Sequence, residues 1–241
     1  MIQMRWADID QLNHVNNVRY VDYADEARLA LIESGQLRDD FQIGHCEVEF
    51  LRPLLLSMKP VKISDNFDGN RLVQEISAGE GTVFARVSTD LVESRSPIAP
   101  SDINVGSYPF SLRRGDTTDG VVGNAKHFEI FQEARILLIS KLIGISSPGG
   151  FVVGRVAIDF AADLPWRAEP YPMRTWIEKF SRSSIELCSE IIDQGAAFAR
   201  ATAVLVGFDL ENQRSRPLNE EERALLEKTL RNQRSGPPNS F

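Results

Sequence analysis

The sequence predicts an α+β chain that carries one plan twice: a long amphipathic helix followed by antiparallel strands. Three observations carry this. Segments 107 residues apart align without a gap where a helix begins, Asn17 falling on Asn124. Partly alternating apolar and polar runs follow each helix, separated by hairpin-turn residues. A stretch rich in Ser, Pro and small residues, 93–108, lies between the copies. An internal repeat outranks a single long fold. The expected organisation is therefore a first repeat over 1–93, a linker over 94–108, a second repeat over 109–210, and a C-terminal helix with a disordered tail over 211–241.

The helices come first. Asn17-Val18-Arg19-Tyr20-Val21-Asp22-Tyr23-Ala24-Asp25-Glu26-Ala27-Arg28 lies over Asn124-Ala125-Lys126-His127-Phe128-Glu129-Ile130-Phe131-Gln132-Glu133-Ala134-Arg135, with Asn, Glu, Ala and Arg identical. Positions 20, 24, 27 and 31 repeat as 127, 131, 134 and 138, so each helix has one buried stripe. Strands are expected over 41–50, 61–67, 71–77 and around Phe84-Ala85-Arg86-Val87. Their counterparts are 151–160, 173–180, 184–192 and the run around Phe198-Ala199-Arg200-Ala201. A further strand is expected to open each half, the first beginning at Met1. Asn66-Phe67-Asp68-Gly69-Asn70 and Asp193-Gln194-Gly195 supply turns. Asn219-Glu220-Glu221-Glu222 starts a helix to about Arg231, and the tail from Ser235 to Ser240 is expected to be disordered.

Composition bounds the function. The 241 residues carry a net charge of −7, which argues against general nucleic-acid or anionic-membrane binding while leaving room for a local phosphate-binding patch. No run is long and apolar enough to span a membrane, and no secretory signal is read at Met1. Cys46 and Cys188 would suffice for one disulfide, but a cytoplasmic location favours reduced thiols. Neither has metal-ligand spacing, and with three His a zinc site is not expected. No cofactor is implied.

The chemistry concentrates in Arg5-Trp6-Ala7-Asp8-Ile9-Asp10-Gln11-Leu12-Asn13-His14-Val15-Asn16-Asn17-Val18-Arg19-Tyr20. An acid and an imidazole stand four residues apart, in a polar turn that leads into a helix. A helix N-terminus offers unpaired N–H groups to a developing oxyanion, and a nearby carboxylate can take a proton from water or attack. Hydrolysis of an activated acyl group needs both.

A strand, then Asp10-x-x-x-His14-Val15-Asn16-Asn17, then a long helix and an antiparallel run resembles the hotdog-fold acyl thioesterases. The 4-hydroxybenzoyl-CoA thioesterase-like group and the acyl-ACP thioesterases are the nearest in pattern. The resemblance covers both halves and implies a double hotdog, in which a curved antiparallel sheet wraps each long helix. It also implies that Asp10 is the nucleophile or general base, that the Asn17 backbone N–H polarises the thioester carbonyl, and that His14 assists. Leu12 stands where plant acyl-ACP thioesterases carry Asn, and they carry the motif in their second half. The resemblance therefore implies an acyl thioester in general, acyl-CoA ahead of an acyl-carrier protein, and a role in lipid metabolism. Homo-oligomers of double hotdogs are a further expectation. A non-catalytic acyl-CoA-binding module and, further behind, a hotdog hydratase or dehydratase stay open.

Other residues have simpler readings. Asp8 is expected to be structural or a surface acid, and Asn16 a helix cap. Glu47 and Glu49 share one strand face, which solvent explains. Glu26 and Arg28 recur as Glu133 and Arg135 in a half where Thr117 and Val121 replace Asp10 and His14, so they are expected to make a structural helix-to-strand contact. One competent site and one vestige follow. Arg19, Arg52, Arg113, Arg114, Lys126 and Arg155 are the candidate phosphate-binding cations.

Overall fold

The protein is described by a computed structural model over residues 1–10, 13–79, 81–143, 150–209 and 211–235. Residues 236–241, most of the expected tail, lie outside the described residues, as does Leu12. The chain forms two compact units, Met1–Arg95 with Gly123–Glu129, and Ser96–Val122 with Ile130–Phe241. Its elements are α1 (Asn17–Glu33), β1 (Gln42–Phe50), β2 (Lys62–Asp68), β3 (Arg71–Ala78), β4 (Thr82–Val92), β5 (Tyr108–Phe110), β6 (Thr117–Thr118), β7 (Val121–Val122), α2 (Asn124–Ile143), β8 (Phe151–Phe160), β9 (Tyr171–Phe180), β10 (Ser184–Asp193), β11 (Ala196–Asp209), β12 (Arg214–Ser215) and α3 (Glu220–Ser235). Each repeat is a long helix with an antiparallel sheet, the double hotdog plan.

In the first unit the strand order is β2-β3-β4-β1, all antiparallel. Alternation on β3 buries Leu72, Gln74 and Ile76, and Leu72 joins Leu37 and Leu91 in an apolar cluster. The inward stripe of α1 buries Val18, Tyr20, Val21, Tyr23 and Ala24. Gln74 answers α1 with a hydrogen bond from Nε2 to the Ala24 carbonyl at 3.1 Å. The expected opening strand is not formed. Ile2 makes a single bridge to Val61, and the chain then turns into a short 3-10 helix, Trp6–Asp8. The second repeat keeps the strand as β5, paired with β9. A local turn does not separate the two, since both repeats curl alike: the Arg5 N–H meets the Asp8 carboxylate at 2.7 Å and the Arg113 N–H meets the Asp116 carboxylate at 2.8 Å.

In the second unit the order is β8-β11-β10-β9-β5. β11 alternates along its length, burying Ala197, Ala199, Ala201, Ala203 and Leu205. The hairpin between β10 and β11 closes at Gln194 and Gly195, both at positive φ (48° and 79°), as a two-residue turn matching the strand twist requires. At Gly207 the backbone of Arg216 comes so near that a Cβ would lie 2.8 Å from its carbonyl oxygen. Leu226 of α3 packs with Leu138, Ile177, Ile185, Leu187 and Leu205.

The start of α3 is a reciprocal cap: the Glu222 N–H meets Asn219 Oδ1 and the Asn219 N–H meets Glu222 Oε2, both at 2.8 Å. Arg216 completes it with two bonds to the Glu222 carboxylate, at 2.7 and 2.8 Å. Burial opposes ionisation of Glu222, but these donors outweigh it and hold the carboxyl below its ordinary value. The resulting stability is present above the ordinary glutamate value of 4.5 and is lost as pH falls through the folded value. Glu222→Gln is expected to flatten that acid limb when urea midpoints are followed from about pH 6 to pH 3. Equal acid sensitivity in both proteins would refute the assignment.

Candidate active site

The turn between the 3-10 helix and α1 is built on backbone pairing. Ile9 and Val15 form an antiparallel bridge. Inside it the Asp10 N–H donates to the His14 carbonyl at 2.8 Å, and the His14 N–H donates to Asp10 Oδ1 at 3.1 Å. Asn13, at φ 60°, reverses the chain, a left-handed conformation that Asn tolerates better than most residues. The turn is anchored to the segment after β1: the Val15 N–H donates to the Leu54 carbonyl at 2.8 Å, and His14 bridges Leu55. Asp10 and His14 are thus brought together, both half-buried. The His14 backbone N–H, not its imidazole, makes this contact with the Asp10 carboxylate.

The helix start sits directly behind this turn. Asn16 is the cap, its Oδ1 accepting from the Val18 N–H at 3.0 Å and its carbonyl from the Arg19 N–H at 2.9 Å. Asn17 is the first helical residue, and its N–H meets no acceptor among the described residues. That donor lies at the positive end of the α1 dipole. Asn16→Ala is expected to cost about 1 kcal/mol and to loosen this donor's position. Unfolding free energy and amide exchange at residues 17–19 would test it, and unchanged protection there would count against the cap.

Two tyrosines that the motif alone did not single out support the turn. Tyr20 is buried, stacks edge-on against Phe50 with ring centres 5.4 Å apart, and accepts from the Leu54 N–H at 3.2 Å. Burial, with a contribution from the Asp10 charge, pushes its hydroxyl up to about 12. Tyr23 donates to Asp8 Oδ2 at 2.7 Å. Asp8 is therefore no surface acid: 8% exposed, it also accepts from the Arg5 N–H, and its carbonyl accepts from the Asn16 N–H at 2.7 Å. The available signal was spacing, since Tyr20 and Tyr23 lie three apart on the inward stripe.

The Glu26–Arg28 expectation is corrected. Glu26 is exposed, and Arg28 pairs along its own helix with Asp25 at 3.3 Å, because an i, i+3 acid is nearer than any strand. Asp25 is also held by Asn124 Nδ2, at 3.2 Å from both oxygens. Burial raises its carboxyl. Glu49 faces Arg86 at 3.4 Å on a half-exposed sheet face. Among the proposed cations, Arg19 is engaged by Asp22 at 2.5 Å and Glu129 at 3.2 Å, and Lys126 also meets Glu129. The Arg114 guanidinium lies 3.9 Å from the Trp166 ring centre. Arg52 is exposed and makes no side-chain ion pair among the described residues.

A cavity of about 1040 Å³ opens on the Asp8 side of α1, lined by Arg5, Arg19, Asp22, Tyr23 and Glu26 among others. Asp10 does not line it. Its charged wall suits a polar solute better than an acyl chain. In the second repeat Thr117 and Val121 belong to the β6–β7 pair, and Thr117 Oγ1 bonds the Arg114 carbonyl at 3.1 Å. Among the described residues no group of His, Cys, Asp and Glu could hold a metal ion. Cys46 and Cys188 are free and buried, and burial raises both thiols, to about 12 and about 11. No described helix is long and apolar enough to cross a membrane.

A family model described as the thioesterase-like superfamily matches residues 4–93 and 112–228. Among curated proteins no relative matches. The chain is similar in structure to a protein described as an oleoyl thioesterase from Lactobacillus plantarum, with TM-score 0.63, 11% identity, and 86% of this chain and 94% of the other covered. It is similar to the 12:0-ACP thioesterase of Umbellularia californica, with TM-score 0.63, 11% identity and coverages of 90% and 92%. A third likeness is to an acyl-ACP thioesterase from Bacteroides thetaiotaomicron, with TM-score 0.58, 10% identity and coverages of 85% and 95%. At these identities the structural likenesses establish the fold alone.

Proposed function

The chain belongs to the thioesterase-like superfamily and is a thioester hydrolase by class, and from that premise we propose that it hydrolyses acyl-CoA, with Asp10 as nucleophile or general base and the Asn17 N–H as oxyanion donor. The observation that carries this reading is the closed Asp10–His14 turn, which delivers a half-buried carboxylate immediately before a helix whose first N–H has no acceptor among the described residues.

The chemistry is short. As a base, Asp10 takes a proton from water while the oxygen adds to the thioester carbonyl. The resulting oxyanion is held by the Asn17 N–H, the C–S bond breaks, and the proton passes to the departing thiolate. As a nucleophile, the Asp10 carboxylate adds to the carbonyl and displaces the thiolate as the C–S bond breaks; water then cleaves the resulting acyl anhydride, releasing the acid and the carboxylate, and its proton serves the thiolate. His14 contributes its backbone N–H to the Asp10 carboxylate, leaving the imidazole to orient water. Exposed Arg52, near Leu54 in sequence, is the cation best suited to a CoA phosphate. The free cysteines accord with a cytoplasmic setting and the reading with lipid metabolism.

Thiol release from acyl-CoA and from acyl-carrier protein, across several chain lengths and with an aryl thioester, tests the proposal. Turnover of acyl-CoA that Asp10→Asn abolishes supports it. Turnover confined to the acyl-carrier substrate would move the assignment to carrier protein, and tight binding without turnover would make the chain a binding module.

A further inference from the structure

The segment that joins β1 to β2 and its counterpart between β8 and β9 share one backbone course and differ in what they show to solvent. In the first repeat the Val15 N–H donates to the Leu54 carbonyl at 2.8 Å and His14 bridges Leu55. In the second the Val122 N–H donates to the Leu164 carbonyl at 3.0 Å and Val121 bridges Pro165. The short 3-10 helices that precede them, Trp6–Asp8 and Arg114–Asp116, also correspond. On this common frame Leu51, Leu55 and Met58 are 48%, 54% and 91% exposed, where the second repeat has Ala161, Pro165 and Ala168. Trp6, 79% exposed, stands where the second repeat has Arg114. Residues 51–64 carry Arg52, Lys59 and Lys62 and no acid, in a chain of net charge −7. The counterpart of Lys59 is Glu169, and that of Arg52 is Ala162. All three cations are exposed and make no ion pair among the described residues. The Trp6 segment runs beside this one. Ile2 and Val61 exchange backbone hydrogen bonds at 2.8 and 2.9 Å, and Gln3 Nε2 donates to the Met58 carbonyl at 3.4 Å.

Because the second repeat closes the same turn with small and acidic residues, the fold does not require the bulky apolar and basic side chains of the first. Single exposed apolar residues are ordinary, but four of them beside three cations make a patch of the kind that marks an interaction surface. We propose that this face, Trp6 with residues 51–62, docks peripherally on an anionic lipid surface. Complementary charge draws the three cations toward acidic headgroups, and the Trp, Leu and Met side chains bury apolar surface where headgroup meets acyl chain. An indole suits that level, because its ring is apolar and its N–H stays hydrogen-bonded. Two of the three cations are lysines, which protein interfaces disfavour and a headgroup layer accepts as point charges. The net charge of −7 works against a general membrane affinity, so the contact is confined to this face. Leu54 and Leu55 tie the patch to the Asp10–His14 turn, which docking brings to the headgroup layer. The surface does not rest on the assignment of Asp10, and its readout is binding.

Flotation of the full chain with vesicles tests this, using phosphatidylcholine alone and phosphatidylcholine with about 30% phosphatidylserine. Wild type is expected to float with the anionic vesicles only, and less as salt rises. Its tryptophan fluorescence should shift to the blue as Trp6 leaves water. The double variant Met58→Ala with Lys59→Glu installs the residues of the second repeat, which the same turn accommodates, so its stability should match that of wild type. It should bind about tenfold or more weakly, since one basic residue near the surface is worth about fivefold and the variant also adds an acid. Trp6→Ser should weaken binding and remove the blue shift. Arg52 is left in place because it is also the proposed CoA contact, so vesicle binding and thioester hydrolysis fail separately. The proposal is overturned if wild type ignores anionic vesicles or if either variant binds them as wild type does. Equal affinity for soluble polyglutamate would overturn it in favour of an acidic protein partner. A wild-type dimer that the double variant loses, without vesicle binding, would give this face to a second copy of the chain.

Discussion

Asp10→Asn is expected to lower kcat for thioester hydrolysis by about 10²- to 10⁴-fold, the range for removal of a general base, with KM little changed. The substitution separates chemistry from architecture. An Asn Oδ1 can accept from the His14 N–H as Asp10 Oδ1 does at 3.1 Å, and the Ile9–Val15 bridge involves backbone alone. The turn should therefore persist, and the unfolding free energy should change by less than about 1 kcal/mol. The loss of basicity and nucleophilicity is what remains. Asp10→Ala would confound the two, because it also strips the acceptor from the His14 N–H. Stopped thiol-release traces for wild type and Asp10→Asn, beside urea denaturation of both, give the comparison. Wild-type kcat in a folded Asp10→Asn protein would remove Asp10 from the mechanism.

Glu190→Ala should be the most destabilising of the substitutions considered, by about 3–5 kcal/mol. Glu190 is fully buried on β10 and accepts from Arg174 Nη2 at 2.8 Å, Arg200 Nε at 2.9 Å and the Ser101 N–H at 3.0 and 3.2 Å. The same arginines hold the segment before β5: Arg200 Nη2 bonds the Ala99 carbonyl at 2.7 Å, and Arg174 Nη2 bonds the Ser101 carbonyl at 2.6 Å. Truncation leaves two partly buried cations and a backbone N–H without their shared acceptor. Chemical denaturation should show the loss, and limited proteolysis should show new cleavage between residues 96 and 105. A stability change under about 1 kcal/mol with no new cleavage would mean that solvent replaces Glu190 at little cost.

How much was legible in advance follows the range of the interactions. The long helices, the β10–β11 hairpin and the Asn219–Glu222 cap depend on side-chain period, turn conformers and contacts within four residues, all of which a linear sequence displays. The Asp10–His14 turn belongs with them, since its hydrogen bonds span four residues. The opening segment was misread because a linear run does not show how far its pairing with a distant segment will extend, and Ile2 meets Val61 at a single bridge.

By itself, then, the sequence determined the doubled plan, the placement of each long helix, and which half carries an acid and an imidazole before a helix N-terminus. Only the tertiary structure decided that Asp8 is buried beneath Tyr23, that Tyr20 reaches Leu54 across 34 residues, and that Asp25 is held by Asn124 across 99. It alone showed that Arg135 is buried more deeply than its counterpart Arg28, which pairs with Asp25 on its own helix. The physical reason is that local geometry follows from covalent spacing. Whether a charge is desolvated, and which distant group meets it, depends on how the packed chain excludes water, and identical residues in two copies of one plan can differ in both.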